Sequence, residues 1–249
     1  MLTDLLLMIR MLSRFFGRYP IELLKPRRAL AVIGDVHGCA DLLAEALAYA
    51  GDRLTICVGD YVDRGPDSAA VLQLLMEQPN ILCLGGNHEE MLLRFLNDPQ
   101  GSGAAWLRHG GDCTVRSFGL DPRAAETGAA ALSDLRDGLQ EAMGPEAIAW
   151  LRARPDKAVF GNLAVVHAGA DPRVPIDEQD GATLRWGHRR FSRTVRKDGI
   201  WVVHGHTVVP EAKVSAGRIA IDTGAYATGR LTLAELSDGQ VSFTEFGAG

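Results

Sequence analysis

Residues 29–38 read Ala-Leu-Ala-Val-Ile-Gly-Asp-Val-His-Gly, a short apolar run that ends in glycine and delivers an aspartate and a histidine into a turn. The form recurs twice. Residues 54–59 (LTICVG) lead into Asp60-Tyr61-Val62-Asp63-Arg64-Gly65, and residues 80–85 (NILCLG) lead into Gly86-Asn87-His88-Glu89. Each run is followed by apolar residues at helical spacing, over 41–50, 67–78 and 89–96, with Pro66 where a helix start tolerates proline. Runs this short and this uniformly apolar are strands buried on both faces. Three strand–turn–helix units in series therefore predict a parallel α/β core, whose ligands gather at the carboxyl ends of the strands.

Downstream the pattern changes. Residues 97–156 carry glycine-rich turns and the amphipathic segments 129–142 and 145–154 but no strand pattern, so they read as a helical insertion beside the site. Strand-like runs return at 158–167, 200–204, 218–222, 230–235 and 241–246, the last two joined by the hairpin signal Ser237-Asp238-Gly239. The expected fold class is α/β: two facing mixed sheets flanked by helices. Residues 29–249 form one domain that includes the insertion.

The chain has 249 residues, 47% of them apolar and 23% charged, and nothing approaches 18 consecutive apolar residues. This is the make-up of a soluble globular protein, and it excludes a disordered, collagenous or membrane-spanning chain. A net charge of −5 argues against a surface that binds nucleic acid by neutralising phosphates. Cys39, Cys57, Cys83 and Cys113 lie far apart and form no CxxC pair. They read as small hydrophobes of a reducing compartment, which makes the cytoplasm the expected location. Residues 1–28 differ, with six basic residues against Asp4 and Glu22, a local charge of +4. Leu2, Leu5, Leu6, Ile9, Leu12 and Phe16 recur there near helical spacing. Arginines break the apolar run, so it is not a secretory signal. It reads as an amphipathic basic extension packed on the domain or on a second copy, a membrane-surface helix being the lesser alternative.

Five strand ends deliver aspartate, asparagine or histidine into glycine-rich turns: Asp35 and His37, Asp60, Asn87, His167, and His206. Carboxylate, imidazole and amide oxygen are ligands for borderline divalent metals. Asp35 and His37 alternate in an extended segment and can face one ion. Six ligands are too many for one catalytic ion that keeps an open position. With Asp60 bridging, Asp35, His37 and Asp60 serve one ion, and Asp60, Asn87, His167 and His206 serve the other. Two ions held close together suit in-line displacement at phosphorus. Taken singly, Asp35 or Asn87 could be a helix cap and His206 a structural histidine. The motifs acquire their meaning jointly.

In this order, GDVHG (34–38), GDYVDRG (59–65), GNHE (86–89), HAG (167–169) and GHT (205–207) resemble the calcineurin-like metallophosphoesterases. VDRG and GNHE further resemble the phosphoprotein phosphatase family, in particular small bacterial and bacteriophage serine/threonine phosphatases. The likeness spans roughly residues 30–230 and includes Ile221-Asp222-Thr223-Gly224-Ala225 and Arg230-Leu231-Thr232-Leu233. It implies an αββα core, a binuclear centre often filled by Mn²⁺, with Fe or Zn as alternatives, and phosphorylated protein or peptide as substrate. It also implies direct attack by a hydroxide bridging the ions, with no covalent phosphoenzyme. On this resemblance His88 is the general acid, Asp63 orients it and Arg64 grips the phosphoryl oxygens. A second phosphate-binding arginine would align with His188, a departure: either Arg189 or Arg190 replaces it, Arg189 first, or His188 itself binds phosphate more weakly.

Other polar and aromatic residues receive plainer readings. Trp106, Trp150, Trp186 and Trp201 are expected as core anchors. Tyr61 borders the substrate or packs, Asp222 is a turn or supporting residue, His204 packs in the core or faces the site, and His109 has no assigned role. A diadenosine tetraphosphatase-like hydrolase shares this centre. Members of that group tend to carry alanine where Asp63 stands and aspartate where Glu89 stands, so both residues favour the phosphatase. A non-catalytic metal-binding scaffold is the third reading.

Overall fold

A computed structural model describes residues 22–123 and 129–247. The basic extension's apolar run therefore lies outside the described residues. Its last part, 22–28, lies against the domain and bends at Arg27, with φ +67°. Leu24 is buried, and the Lys25 N–H donates to Asn162 Oδ1.

The three strand–turn–helix units are present: β1 (Leu30–Ile33), α1 (Ala40–Ala50), β2 (Thr55–Cys57), α2 (Ser68–Met76), β3 (Leu82–Cys83) and α3 (Asn87–Asn97). β1, β2 and β3 pair in parallel. β9 (Leu231–Ser237) and β10 (Gln240–Phe246) form the expected hairpin and extend the sheet antiparallel from β1, in the order β10-β9-β1-β2-β3. The second sheet contains β4 (Lys157–Phe160), β5 (Leu163–Val166), β6 (Trp201–His204), β7 (Lys213–Ser215) and β8 (Arg218–Ala220), in the order β4-β5-β6-β8-β7. Its β5, β6 and β8 are parallel.

Three details depart from the sequence reading, the first being Trp186, expected as a core anchor but exposed. The run 158–167 is not one strand, because Gly161 turns at φ +61° and folds it into the β4–β5 hairpin. β7 carries Lys213 and Ser215 and is wholly exposed, so no apolar pattern announces it.

Period-two alternation distributes the core. Leu30 and Val32 of β1 face the second sheet and pack with Leu163, Val165, Val203 and Ile219. Ala31 and Ile33 face the other way, among Leu43, Val71, Leu72, Leu92 and Phe95 of the helices. Ala164, Val166 and Val202 cover the outside of the second sheet with Leu184 and Phe191. Both faces of β1, β2 and β5 are therefore buried, as is nearly all of β6, which explains their uniformly apolar sequences.

The insertion is helical: α4 (Pro99–Trp106), a wide turn (Leu107–Gly111), α5 (Asp112–Ser117) and α6 (Ala129–Arg152), broken at Gly144-Pro145. α4 and α6 pack on α3, and α5 packs on α2. This places Trp106 and Thr114 beneath the carboxyl ends of β2 and β3. Two short helices complete the chain, α7 (Gly181–Trp186) and α8 (Ala225–Thr228).

Candidate metal centre and acid–base pair

The loops after β1, β2, β3, β5 and β6 converge where the two sheets face each other. Asp35 does not cap α1, which begins at Ala40 without a side-chain cap. Its Oδ2 accepts from the His206 N–H at 2.9 Å, tying the first loop to the last. Oδ1 is buried with no hydrogen-bond partner among the described residues. Asn87 is not a cap either. It lies in the first turn of α3, with its Oδ1 2.9 Å from His167 Nε2 and 2.7 Å from His206 Nδ1.

Asp60 occupies the middle. Its Oδ2 lies 3.5 Å from His37 Nε2 and 4.0 Å from His88 Nε2, and its Oδ1 lies 3.3 Å from His167 Nε2. Two groups of three possible ligands share it: His37, Asp60 and His88, and Asp60, His167 and His206. Backbone carbonyls set the tautomers. His37 Nδ1 donates to the Val62 carbonyl at 2.8 Å and His167 Nδ1 donates to that of Val58 at 3.2 Å, which turns each Nε2 inward.

Burial and charge work against each other here. Burial acts to raise the Asp60 carboxyl, but His167, His88 and His37 hold it well below the usual carboxylate range. Burial pushes Asp35 well up, and the carboxylates of Asp222 and Asp60 add to this. Burial lowers His37 to about 4. His167 runs the other way, to about 9, because the neighbouring Asp60 outweighs its burial. An orphaned carboxylate oxygen, three buried acids and inward-facing imidazole nitrogens, that of His167 once a cation displaces its proton, are a donor set that fits divalent cations.

The turns are strained for this purpose. His37, Asp60, Asp63, Arg64 and His206 all adopt positive φ, between +43° and +71°. Glu89 supports them. Its Oε2 accepts from the N–H groups of Asp60 and Gly86 at 2.8 Å, and its Oε1 accepts from those of Tyr61 at 2.7 Å and Val62 at 3.3 Å. Gly205 is a position of close approach, since a Cβ there would lie 1.7 Å from Asp35 Oδ1.

His88 and Asp63 form a buried pair, with Nδ1 2.7 Å from Oδ2. Trp106 Nε1 donates to both Asp63 oxygens, at 3.1 and 3.0 Å, and the Thr114 hydroxyl donates to Oδ1 at 2.7 Å. The Asp63 N–H donates to Thr114 Oγ1 at 2.9 Å and Ser68 Oγ at 3.1 Å. Burial raises Asp63 to about 8 against the hydrogen bonds of Thr114 and Trp106, and burial lowers His88 to about 4. Arg64 lies beside the pair at the half-open mouth. Its Nη1 donates to His37 Nε2 at 3.1 Å, and its guanidinium sits 5.0 Å from the ring centre of the exposed Tyr226.

Of the residues named from sequence, Asp35, His37, Asp60, Asn87, His167, His206, His88, Asp63 and Arg64 are brought together. Arg189 is exposed and, among the described residues, forms no hydrogen bond or ion pair with any of them. His188 Nε2 lies 3.5 Å from Asp171 Oδ2 instead. Tyr61 packs, its hydroxyl donating to the Leu84 carbonyl at 2.7 Å. Buried Asp222 accepts from the Gly224 N–H, and His204 stacks edge-on with Phe191. The sequence reading did not assign Trp106, Thr114 or Ser68 to the site. The available signal was a buried indole, whose N–H needs a partner.

The calcineurin-like phosphoesterase family model matches residues 29–210. Serine/threonine-protein phosphatase 2 of Escherichia coli is 30% identical over 224 residues, covering 82% of this chain and 91% of that protein. The asymmetrical bis(5'-nucleosyl)-tetraphosphatase PrpE of Oceanobacillus iheyensis is 29% identical over 233 residues, covering 81% and 86%. The solved metallophosphoesterase of Sphaerobacter thermophilus superimposes with a TM-score of 0.54 at 20% identity, over 88% of each chain, which is a likeness of fold.

Proposed function

The chain belongs to the calcineurin-like phosphoesterase family, and from that premise we propose that it is a protein phosphatase acting on phosphoserine and phosphothreonine, with phosphotyrosine as a further substrate. Asp35, His37 and Asp60 would hold one divalent ion, and Asp60, Asn87, His167 and His206 the other. Mn²⁺ is the first choice, and Fe or Zn is compatible with the same donors. Bound there, the ions supply an activated water and neutralise charge on the phosphoryl oxygens.

The protein's own residues divide the remaining work. Arg64, at the mouth, grips phosphoryl oxygens in a two-pronged hydrogen bond. His88 gives its Nε2 proton to the leaving oxygen while Asp63 holds the Nδ1–H and stabilises the imidazolium. Burial keeps His88 neutral on its own, and the dianionic phosphoester arriving beside it favours the protonated form. Arg189, or its neighbour Arg190, in the loop after α7, would supply a second guanidinium to the phosphoryl oxygens.

The observation that carries this reading is the His88–Asp63 pair at 2.7 Å, wholly buried. A serine alkoxide leaves poorly unless it is protonated, whereas a nucleotide phosphate leaves as a stable anion. A dedicated, oriented acid therefore suits an alkyl phosphomonoester more than a polyphosphate anhydride. The second reading, a dinucleoside tetraphosphate hydrolase, is supported by the PrpE relative, which matches over a similar share of the chain. Phosphate release from a phosphoserine/phosphothreonine peptide and from diadenosine tetraphosphate, with metal-stripped protein resupplied with Mn²⁺ or left bare, separates the two. Mn²⁺-dependent turnover of the peptide with little nucleotide cleavage is expected. The reverse preference overturns the phosphatase reading and keeps the metal centre.

A further inference from the structure

The helical insertion reaches the proposed acid through two side chains, Trp106 and Thr114. Asp63 has two carboxylate oxygens in a fully buried place, and among the described residues the polar hydrogens aimed at them come from three groups: Trp106 Nε1, the Thr114 hydroxyl and His88 Nδ1. The hydroxyl hydrogens can be assigned by elimination. Thr114 gives its single hydrogen to Asp63 Oδ1, so in its 3.0 Å contact with Ser68 Oγ it accepts and Ser68 donates. Thr114 then accepts from Ser68 and from the Asp63 N–H and has no capacity left over. The insertion also meets the loop through its backbone, since the Arg64 N–H donates to the Gly110 carbonyl at 3.0 Å. Trp106 itself stacks on Phe95 of α3, with ring centres 4.6 Å apart.

We propose that Trp106 and Thr114 are positioning residues for the His88 acid: they fix both oxygens of Asp63 so that Oδ2 is presented to His88 Nδ1 and Nε2 points at the leaving group. This rests on His88 acting as general acid. Trp106 and Thr114 bring only donors, which the carboxylate form of Asp63 accepts, and they leave it one direction in which to orient the imidazole. It also gives the insertion a chemical task besides packing. The turn Leu107–Gly111 sets the indole and the threonine on either side of the same carboxylate, and a Cβ on Gly111 would lie 2.3 Å from the Trp106 ring.

The test uses leaving-group dependence. Trp106→Phe keeps the ring and removes the N–H, and Thr114→Val keeps the shape and removes the hydroxyl. Each should lower kcat on a phosphoserine peptide by about 10- to 100-fold, the size of effect found when groups that orient a functional side chain are lost, with KM and bound Mn²⁺ little changed. The loss on p-nitrophenyl phosphate, whose leaving group needs little protonation, should be several-fold smaller. Thr114→Ser, which restores the hydroxyl, should recover most of the rate. Equal losses on both substrates, or no loss, overturn the proposal. His88→Asn run beside them separates the two levels: if it shows the leaving-group dependence and the insertion variants do not, the acid stands and this inference falls. The His88 Nδ1–H proton resonance gives a readout without turnover. It should shift upfield or be lost to exchange in Trp106→Phe and Thr114→Val, and an unmoved resonance counts against the proposal even if the wild-type chain hydrolyses neither ester.

Discussion

Asp60 brings one carboxylate within 4.0 Å of three imidazoles, which makes it the residue whose replacement says most. Asp60→Asn keeps the shape and removes the charge that His37 and His167 face, so it should lower both bound Mn²⁺ and turnover. His88→Asn should lower turnover by roughly 10²–10⁴-fold, the usual contribution of a positioned acid, and leave bound metal intact. Metal analysis of both variants checks the pair of expectations. Equal metal loss would make His88 a ligand, since it is also within ligand distance of His37 and Asp60. Gly205→Ala tests the same place sterically. Its Cβ would fall 1.7 Å from Asp35 Oδ1, and overpacking of this kind costs about 1–3 kcal/mol. The variant should fold less stably and bind Mn²⁺ more weakly, as read by thermal melts with and without the ion.

At the scale of elements, loops and helices have separable tasks. The turn after β2 is held by Glu89 of α3, which takes hydrogen bonds from four backbone N–H groups across the 60–62 and 86 positions. Glu89→Ala leaves those donors buried without an acceptor, at about 1–3 kcal/mol for each group that water does not reach. The variant should lower the denaturation midpoint and reduce turnover together. The N-cap of α2 is a contrasting case. Asp67 Oδ1 accepts from the Ala70 N–H at 2.9 Å on the exposed side of the helix. Asp67→Ala should cost about 1 kcal/mol of stability with kcat unchanged on the phosphopeptide. A fall in kcat as large as that of Glu89→Ala would mean that α2 positions the loop as well as supporting it.

For the whole molecule, the charge distribution links metal to stability. Asp35, Asp60 and Asp222 are buried near one another between the sheets, and only part of that charge is met by His167. Cations that bind the folded chain therefore stabilise it, by roughly 2.7 kcal/mol at a free concentration 100-fold above Kd. Chelation should lower Tm and added Mn²⁺ should restore it in a concentration-dependent way, with a smaller increment in Asp60→Asn. A Tm that does not respond to the ion in the native chain would remove the metal centre from the account. Among the described residues no helix is long and apolar enough to cross a membrane.

The sequence by itself determined the parallel core and the set of groups at its carboxyl edge. Both follow from local rules: period and apolar run length for the strands, and glycine beside Asp, Asn or His for the turns. The same local view could not distinguish Asn87 as a helix cap from Asn87 facing His167 and His206, and only the packed sheets decided it. The fold at Gly161 and the exposed strand Lys213–Ser215 were likewise tertiary outcomes, because an edge strand carries no periodic signal. Trp106 shows the reason most directly. Forty-three residues separate it from Asp63, its indole reads as a core anchor, and it is one. The partner its N–H requires is chosen by how the insertion packs on α3, and no spacing within the chain encodes that.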